Sequence, residues 1–189
     1  MPEHFTWRQS LPLQLCDLTT FIAGLAMVTH WRPLRTMLYF WGIGLSTQAF
    51  ISPIIQMGLG SIWYWLFWIG HTAIVGSAVY DIIVCGYRPR GRDLALGLTV
   101  SYIYTMSMFY MDVWLTQAVG EPINYGFVGP SKPENPTIMD KLGAWPGRVA
   151  VMCAIVIAEY ILLWAVWPAV RRLFPGRGGA LRAEARSHD

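Results

Sequence analysis

Cys16 and Asp17 stand side by side in "LPLQLCDLTTFIAGL", Leu11 to Leu25, at the mouth of an apolar run where neither is cheap to bury. A later apolar run holds the histidine His71. A thiol is the best nucleophile available near neutral pH. In apolar surroundings it needs a base within hydrogen-bond reach and the positive end of a dipole nearby. His71 can supply the first, and the N-terminus of a helix beginning near Cys16 the second. Such a set suits attack on an ester carbonyl, with Gln48 or Asn124 as donors to the developing oxyanion. Spacing alone does not pair Cys16 with His71. Each residue also has a plain structural use. A membrane-helix cysteine is most often a small packing residue, as Cys85 and Cys153 are read here. A histidine can be held by hydrogen bonds alone, Glu159 can pair with a hydroxyl or with His71, and Asp17 can cap its helix or orient His71. No disulfide framework follows from three cysteines. His4, His30 and His188 fall outside the apolar runs, so bis-histidine haem is excluded by count, and neither metal nor cofactor is expected.

The elements that must position these residues are membrane helices. Hydrophobic residues are 54% of the chain and charged residues 13%. No Asp, Glu, Lys or Arg occurs between Arg35 and Asp81, a gap far longer than one span of about 20 residues. Five segments qualify: Leu13–Thr29, Leu34–Ser52, Ser61–Val84, Leu94–Ala118 and Val149–Pro168. Their apolar runs are continuous rather than alternating, which predicts helices and excludes a barrel. The first run has no basic segment ahead of it and no small-residue cleavage site after it, so it reads as a retained span. The fold class is therefore all-α, a polytopic bundle of about five transmembrane helices. Residues 1–174 form one transmembrane domain, and 175–189 are expected to be a disordered cytoplasmic tail.

Arg32 and Arg35, then Arg88, Arg90 and Arg92, then Arg171, Arg172, Arg177, Arg182 and Arg186 fall on one side of a five-span chain, which the positive-inside rule makes cytoplasmic. The N-terminus then lies outside in a multi-pass inner-membrane protein. The +3 net charge speaks for membrane orientation rather than for nucleic acid. The outer loop, "GEPINYGFVGPSKPENPTIMDKLGAWPGR", has apolar residues to bury and is expected to fold back as a cap, with a short helix at Thr137–Leu142 begun by Asn135–Pro136. Gly42, Ser46, Gly70, Ala73 and Ser77 should let the second and third spans approach closely. At about 1.5 Å per residue, Cys16 and Asp17 fall one turn below the outer surface, Gln48 and Asp112 about 8 Å below it, and His71 and Glu159 about 15 Å. That clustering predicts a shared polar cavity opening outward.

The ordered stretches "LPLQLCDLTTF", "YFWGIGLSTQAFISP", "HTAIV", "GYRP", "NYGFV" and "KPENPTIMDKLGAWP" resemble, in order and spacing, YwaF-like bacterial integral membrane proteins. These are related to eukaryotic proteins of the transmembrane protein 164 type and, more distantly, to the androgen-induced membrane hydrolases of fatty-acid esters. The likeness runs from Leu11 to about Trp167. It implies a lipid acyltransferase or hydrolase acting on phospholipids through a thioester acyl-enzyme, with Cys16 and His71 as the catalytic pair. Asp17, Gln48, Asn124 and Tyr125 are supporting residues in this reading, with Asn124 or Tyr125 covering the cavity and membrane lipids as substrate. Members commonly carry one more hydrophobic segment ahead of the cysteine helix and an aromatic after "WP", where Gly147 and Arg148 stand here. A small-molecule transporter would gather the same ionisable residues, but inverted repeats and paired broken helices are absent from the sequence. A non-enzymatic lipid-binding protein would need the same cap and no nucleophile.

Overall fold

In a computed structural model, which describes residues 11–55, 57–131 and 137–173, the chain is helical, with no strand among the described residues. Helix α1 spans Leu15–Thr29. The second apolar segment is composite, with α2 at Arg32–Met37, a π-helix at Leu38–Leu45 and α3 at Gln48–Ile51. Helices α4, Ile62–Ile83, α5, Gly91–Val119, and α6, Gly147–Leu173, follow. The last three contain stretches long and apolar enough to cross a membrane, whereas α1 is apolar but only 15 residues long. Breaks fall where backbone chemistry demands them. His30 closes α1 in the left-handed region at φ 50°, its N–H bonded to the Ala26 carbonyl, and Gly120 closes α5 at φ 78°. Helix α6 runs on past the expected stop at Pro168.

The composite segment is the centre of the bundle. Residues 37 to 42 are all buried, as expected of a helix apolar on every side. Polar atoms on its aromatic side chains find partners on the surrounding helices. The Trp41 indole donates to Ser101 Oγ at 2.8 Å, Ser101 meets the Tyr160 hydroxyl at 2.9 Å, and Tyr39 donates to the Leu163 carbonyl at 2.9 Å. Close approach requires glycine at 97, where a Cβ would lie 2.8 Å from Phe40 Cδ2. Of the small residues expected to bring the second and third spans together, Gly42 does so, against Ile74 and Ala78. Gly70 instead has open space before it and Ala73 is exposed, because their face of α4 turns away from the bundle centre.

At one end the arginines pair within the chain. Arg32 binds Asp93, with Nε and Nη2 contacts of 3.0 and 2.5 Å, and Arg35 binds Asp81 through Nε at 2.9 and 3.0 Å. Both guanidinium groups lie over the Tyr87 ring. At the other end the long loop is stitched down. Buried Asp112 of α5 accepts the Tyr125 backbone N–H at 3.0 Å, Asn124 Oδ1 accepts the Gly129 N–H at 2.9 Å, and Arg148 Nη2 donates to the Gly129 carbonyl at 2.8 Å. A Cβ on Gly129 would overlap the Ile123 carbonyl oxygen. The expected short helix is a 3-10 turn at Ile138–Leu142, started by a Thr137–Asp140 capping box. The Asn135–Pro136 turn and the 175–189 tail lie outside the described residues.

Candidate active site

Helix α4 carries His71 and α1 carries Cys16 in its first turn. The two meet, with His71 Nε2 3.1 Å from Cys16 Sγ. The other ring nitrogen, Nδ1, is 2.8 Å from the Phe67 carbonyl one turn earlier. A carbonyl only accepts, so Nδ1 carries the proton and Nε2 turns its lone pair to the thiol. The ring is 8% exposed and packs against the Phe67 ring at 4.3 Å.

The depth mismatch expected from the sequence closes because α4 starts further out than α1. Nine residues precede His71 in α4 and one precedes Cys16 in α1, a difference of about 12 Å at 1.5 Å per residue. The extra turns of α4 expose Ile62, Trp63 and Trp65. A cleft of about 290 Å³ runs along the α1–α4 seam, lined from α1 by Cys16, Asp17 and Thr20 and from α4 by Trp63, Leu66, Phe67, Gly70, His71 and Ile74. Asp17 and Thr20 are exposed at its rim, as are Trp63 at 64% and Leu66 at 50%, so it opens on the flank of the bundle.

The other expected cavity residues lie elsewhere. Gln48, Asp112 and Glu159 do not line the cleft. Asp112 anchors the loop, and Glu159 lies against Gly44 of the π-helix, its buried Oε2 without a hydrogen-bond partner among the described residues. His71 is held by Phe67 and Cys16 rather than by Glu159. Asn124 and Tyr125 do not cover the cleft. They are buried in the loop, where the Tyr125 hydroxyl accepts the Leu11 N–H at 3.3 Å and the Gly126 N–H reaches Gln14 Oε1 at 3.2 Å. Their effect is to fix the chain leading into α1. Asp17 sits in the first turn of α1, where the helix dipole favours a carboxylate. It does not orient His71, because Phe67 holds Nδ1.

Sequence reasoning missed most of the cleft wall, although a signal was present: Trp63, Leu66, Phe67, Gly70, His71 and Ile74 recur at helical spacing on one face. One cluster could geometrically hold a metal, with ligand atoms of His30, Asp81 and Cys85 within 4.8 Å of one another. Arg35 already contacts both Asp81 oxygens, so this carboxylate belongs first to an ion pair.

With this geometry in place, comparison with known proteins assigns the lineage. The chain belongs to the TMEM164 family, whose model matches residues 1–166. No curated protein and no solved structure matches it. Family membership and the three long apolar helices make it a membrane protein.

Proposed function

We propose that this protein is a membrane-embedded lipid acyltransferase or lipid hydrolase in which Cys16 is the nucleophile and His71 the general base. One observation carries the reading: the 3.1 Å contact between Sγ and an imidazole nitrogen whose partner nitrogen is tied to a backbone carbonyl. The thiol proton passes to His71 Nε2 as sulfur attacks the ester carbonyl carbon of a membrane lipid. The Asp17 and Leu18 N–H groups already bond the Gln14 carbonyl, so the charge on the carbonyl oxygen is favoured by the positive end of the α1 dipole, where Cys16 sits in the first turn. Collapse breaks the ester C–O bond, and the leaving lysolipid oxygen takes the proton from Nε2. A thioester remains on Cys16. A lysolipid hydroxyl or water then gives its proton to Nε2, attacks the thioester and restores the thiol.

The flank-opening cleft supports a substrate that arrives laterally from the bilayer, since Trp63, Leu66 and Phe67 offer apolar wall to an acyl chain. The arginine distribution supports a multi-pass inner-membrane protein with Cys16 near the outer face, the N-terminus outside and the C-terminus cytoplasmic. In this reading residues 1–174 act as one transmembrane domain.

The test uses purified protein in nanodiscs, a phospholipid labelled in its acyl chain, and an unlabelled lysophospholipid. Labelled acceptor reports transfer, and labelled free fatty acid reports hydrolysis. Cys16→Ala should abolish both. Unchanged turnover in that variant would eliminate the covalent route.

A further inference from the structure

The seam between α1 and α4 holds Cys16 and His71 near one end and gathers three metal-ligating side chains at the other. His30, Asp81 and Cys85 each offer one ligand atom, and these atoms all lie within 4.8 Å of one another. Each residue is set in place by a different device. His30 closes α1 in the left-handed region, its N–H on the Ala26 carbonyl. Asp81 stands in the last turn of α4 and is 3% exposed. Cys85 lies just beyond α4, its N–H bonded to the Tyr80 carbonyl at 3.3 Å, before the chain turns at Gly86, φ 66°. Glycine is the usual residue where a helix ends left-handed, as at Gly120 after α5. The imidazole of His30 in that place brings a nitrogen to α4 that glycine would not.

The Arg35 ion pair organises this cluster and leaves it open. Its Nε contacts both Asp81 oxygens, and its Nη2 donates to the Cys85 carbonyl at 3.1 Å, so one guanidinium fixes both residues contributed by the end of α4. An ionised carboxylate has lone pairs beyond the one on each oxygen that Arg35 uses. Carboxylates that ligate metals are themselves commonly hydrogen-bonded in this way. Asp81 and a Cys85 thiolate bring two negative charges against the single positive charge of Arg35, and the C-terminus of α1, with no basic residue in its last turn, adds the negative end of a helix dipole. Sulfur, nitrogen and oxygen donors together suit zinc, whereas magnesium and calcium take oxygen alone. Zinc bonds of about 2.0–2.3 Å put ligand atoms roughly 3.5 Å apart, so the three must close by about 1 Å on binding. His30 is exposed and free to swing inward.

We propose that His30, Asp81 and Cys85 bind a zinc ion that clamps the C-terminal ends of α1 and α4 together. One ring nitrogen, one carboxylate oxygen and the sulfur bond the ion, and water fills the fourth position. The Cys85 thiol gives its proton to solvent, and nothing is oxidised or reduced. The ion takes no part in acyl chemistry, and the site stands whether or not Cys16 is a nucleophile.

The test uses the full chain in nanodiscs, stripped with a chelator and titrated with cobalt(II), then with zinc. One equivalent of cobalt should give a thiolate-to-cobalt charge-transfer band and the intense visible bands of a four-coordinate ion, both displaced by zinc. Cys85→Ala should lose the charge-transfer band, and Cys16→Ala should keep it. His30→Gly suits the left-handed backbone, so its metal-free form should melt no lower than metal-free wild type. It should nevertheless bind zinc at least about tenfold more weakly, since even groups behind the ligands are worth that much, and lose the rise in Tm that zinc gives the wild type. Absence of a thiolate band at one equivalent, a band that survives Cys85→Ala, or zinc affinity unchanged in His30→Gly would overturn the inference.

Discussion

At the scale of single residues, the central feature is a tautomer. The Phe67 carbonyl holds the His71 proton on Nδ1 and so presents Nε2 to Cys16 as an acceptor. Cys16→Ala should reduce turnover to background, and His71→Ala should slow it by roughly 10²–10⁴-fold, the usual worth of a general base. Both should insert normally, because neither substitution removes much apolar area. Cys85→Ala and Cys153→Ala, away from the cleft, should leave turnover near wild type in the same assay. Cys16 and His71 were legible as candidates by residue type, the family resemblance paired them, and the structure sets Sγ 3.1 Å from Nε2. The group orienting the imidazole was not legible, because it is a backbone carbonyl and every residue has one. Asp17 was the natural reading for that part, and its place in the first turn of α1 explains its presence by the helix dipole instead.

At the scale of elements, α1 and α4 run side by side in one register. Cys16 meets His71 near one end, and His30 approaches Asp81 and Cys85 near the other. This shared seam makes Gly70 a probe of the cleft. A Cβ there meets nothing within 4 Å, and Gly70 belongs to the wall. Gly70→Val should leave the fold intact, since relief of glycine's entropic cost is largely offset by valine's own lower helix propensity, while narrowing the cleft and lowering turnover of long acyl chains more than short ones. Equal turnover across chain lengths would place the substrate elsewhere. Gly97→Ala should behave oppositely, destabilising the bundle by about 1–3 kcal/mol through the Phe40 clash, as thermal unfolding in detergent would show. The five helical segments could be read from the sequence because apolar length alone signals them. The π-helix could not, because "LYFWGIGL" has no polar residue to mark which period it follows.

At the scale of the whole molecule, the bundle is closed at one end by ion pairs and at the other by the loop latch. Arg148, close after "WP", is 1% exposed and joins Asp140, Ser131 and Gly129. Burial alone would raise the Asp140 pKa. The Ser131 hydroxyl, the Thr137 N–H and the Arg148 guanidinium outweigh it and hold the carboxyl below the usual range. A depressed carboxylate stabilises the fold above its unfolded pKa, about 3.9, and that contribution is lost as pH falls from there through the folded value. Hydrogen-exchange protection across residues 137–149, taken relative to the intrinsic rate at each pH, should therefore fall below about pH 4, and in Asp140→Asn at neutral pH. A fold-back loop was expected from its apolar content. Its anchoring by Asp112 was not, because an acidic residue in a span suggested a cavity. Orientation is tested by Lys141→Cys, at an exposed loop position, which should react with an impermeant maleimide from outside, while a reporter after Asp189 should be cytoplasmic. The claim that unites these scales is that Cys16 carries the acyl group. The measurement closest to it is mass spectrometry of the Cys16 peptide after incubation with acyl-labelled phospholipid and no acceptor. A hydroxylamine-sensitive acyl adduct on Cys16, lost in His71→Ala, is the predicted result, whereas lipid turnover with Cys16 unmodified at every time point would contradict the account.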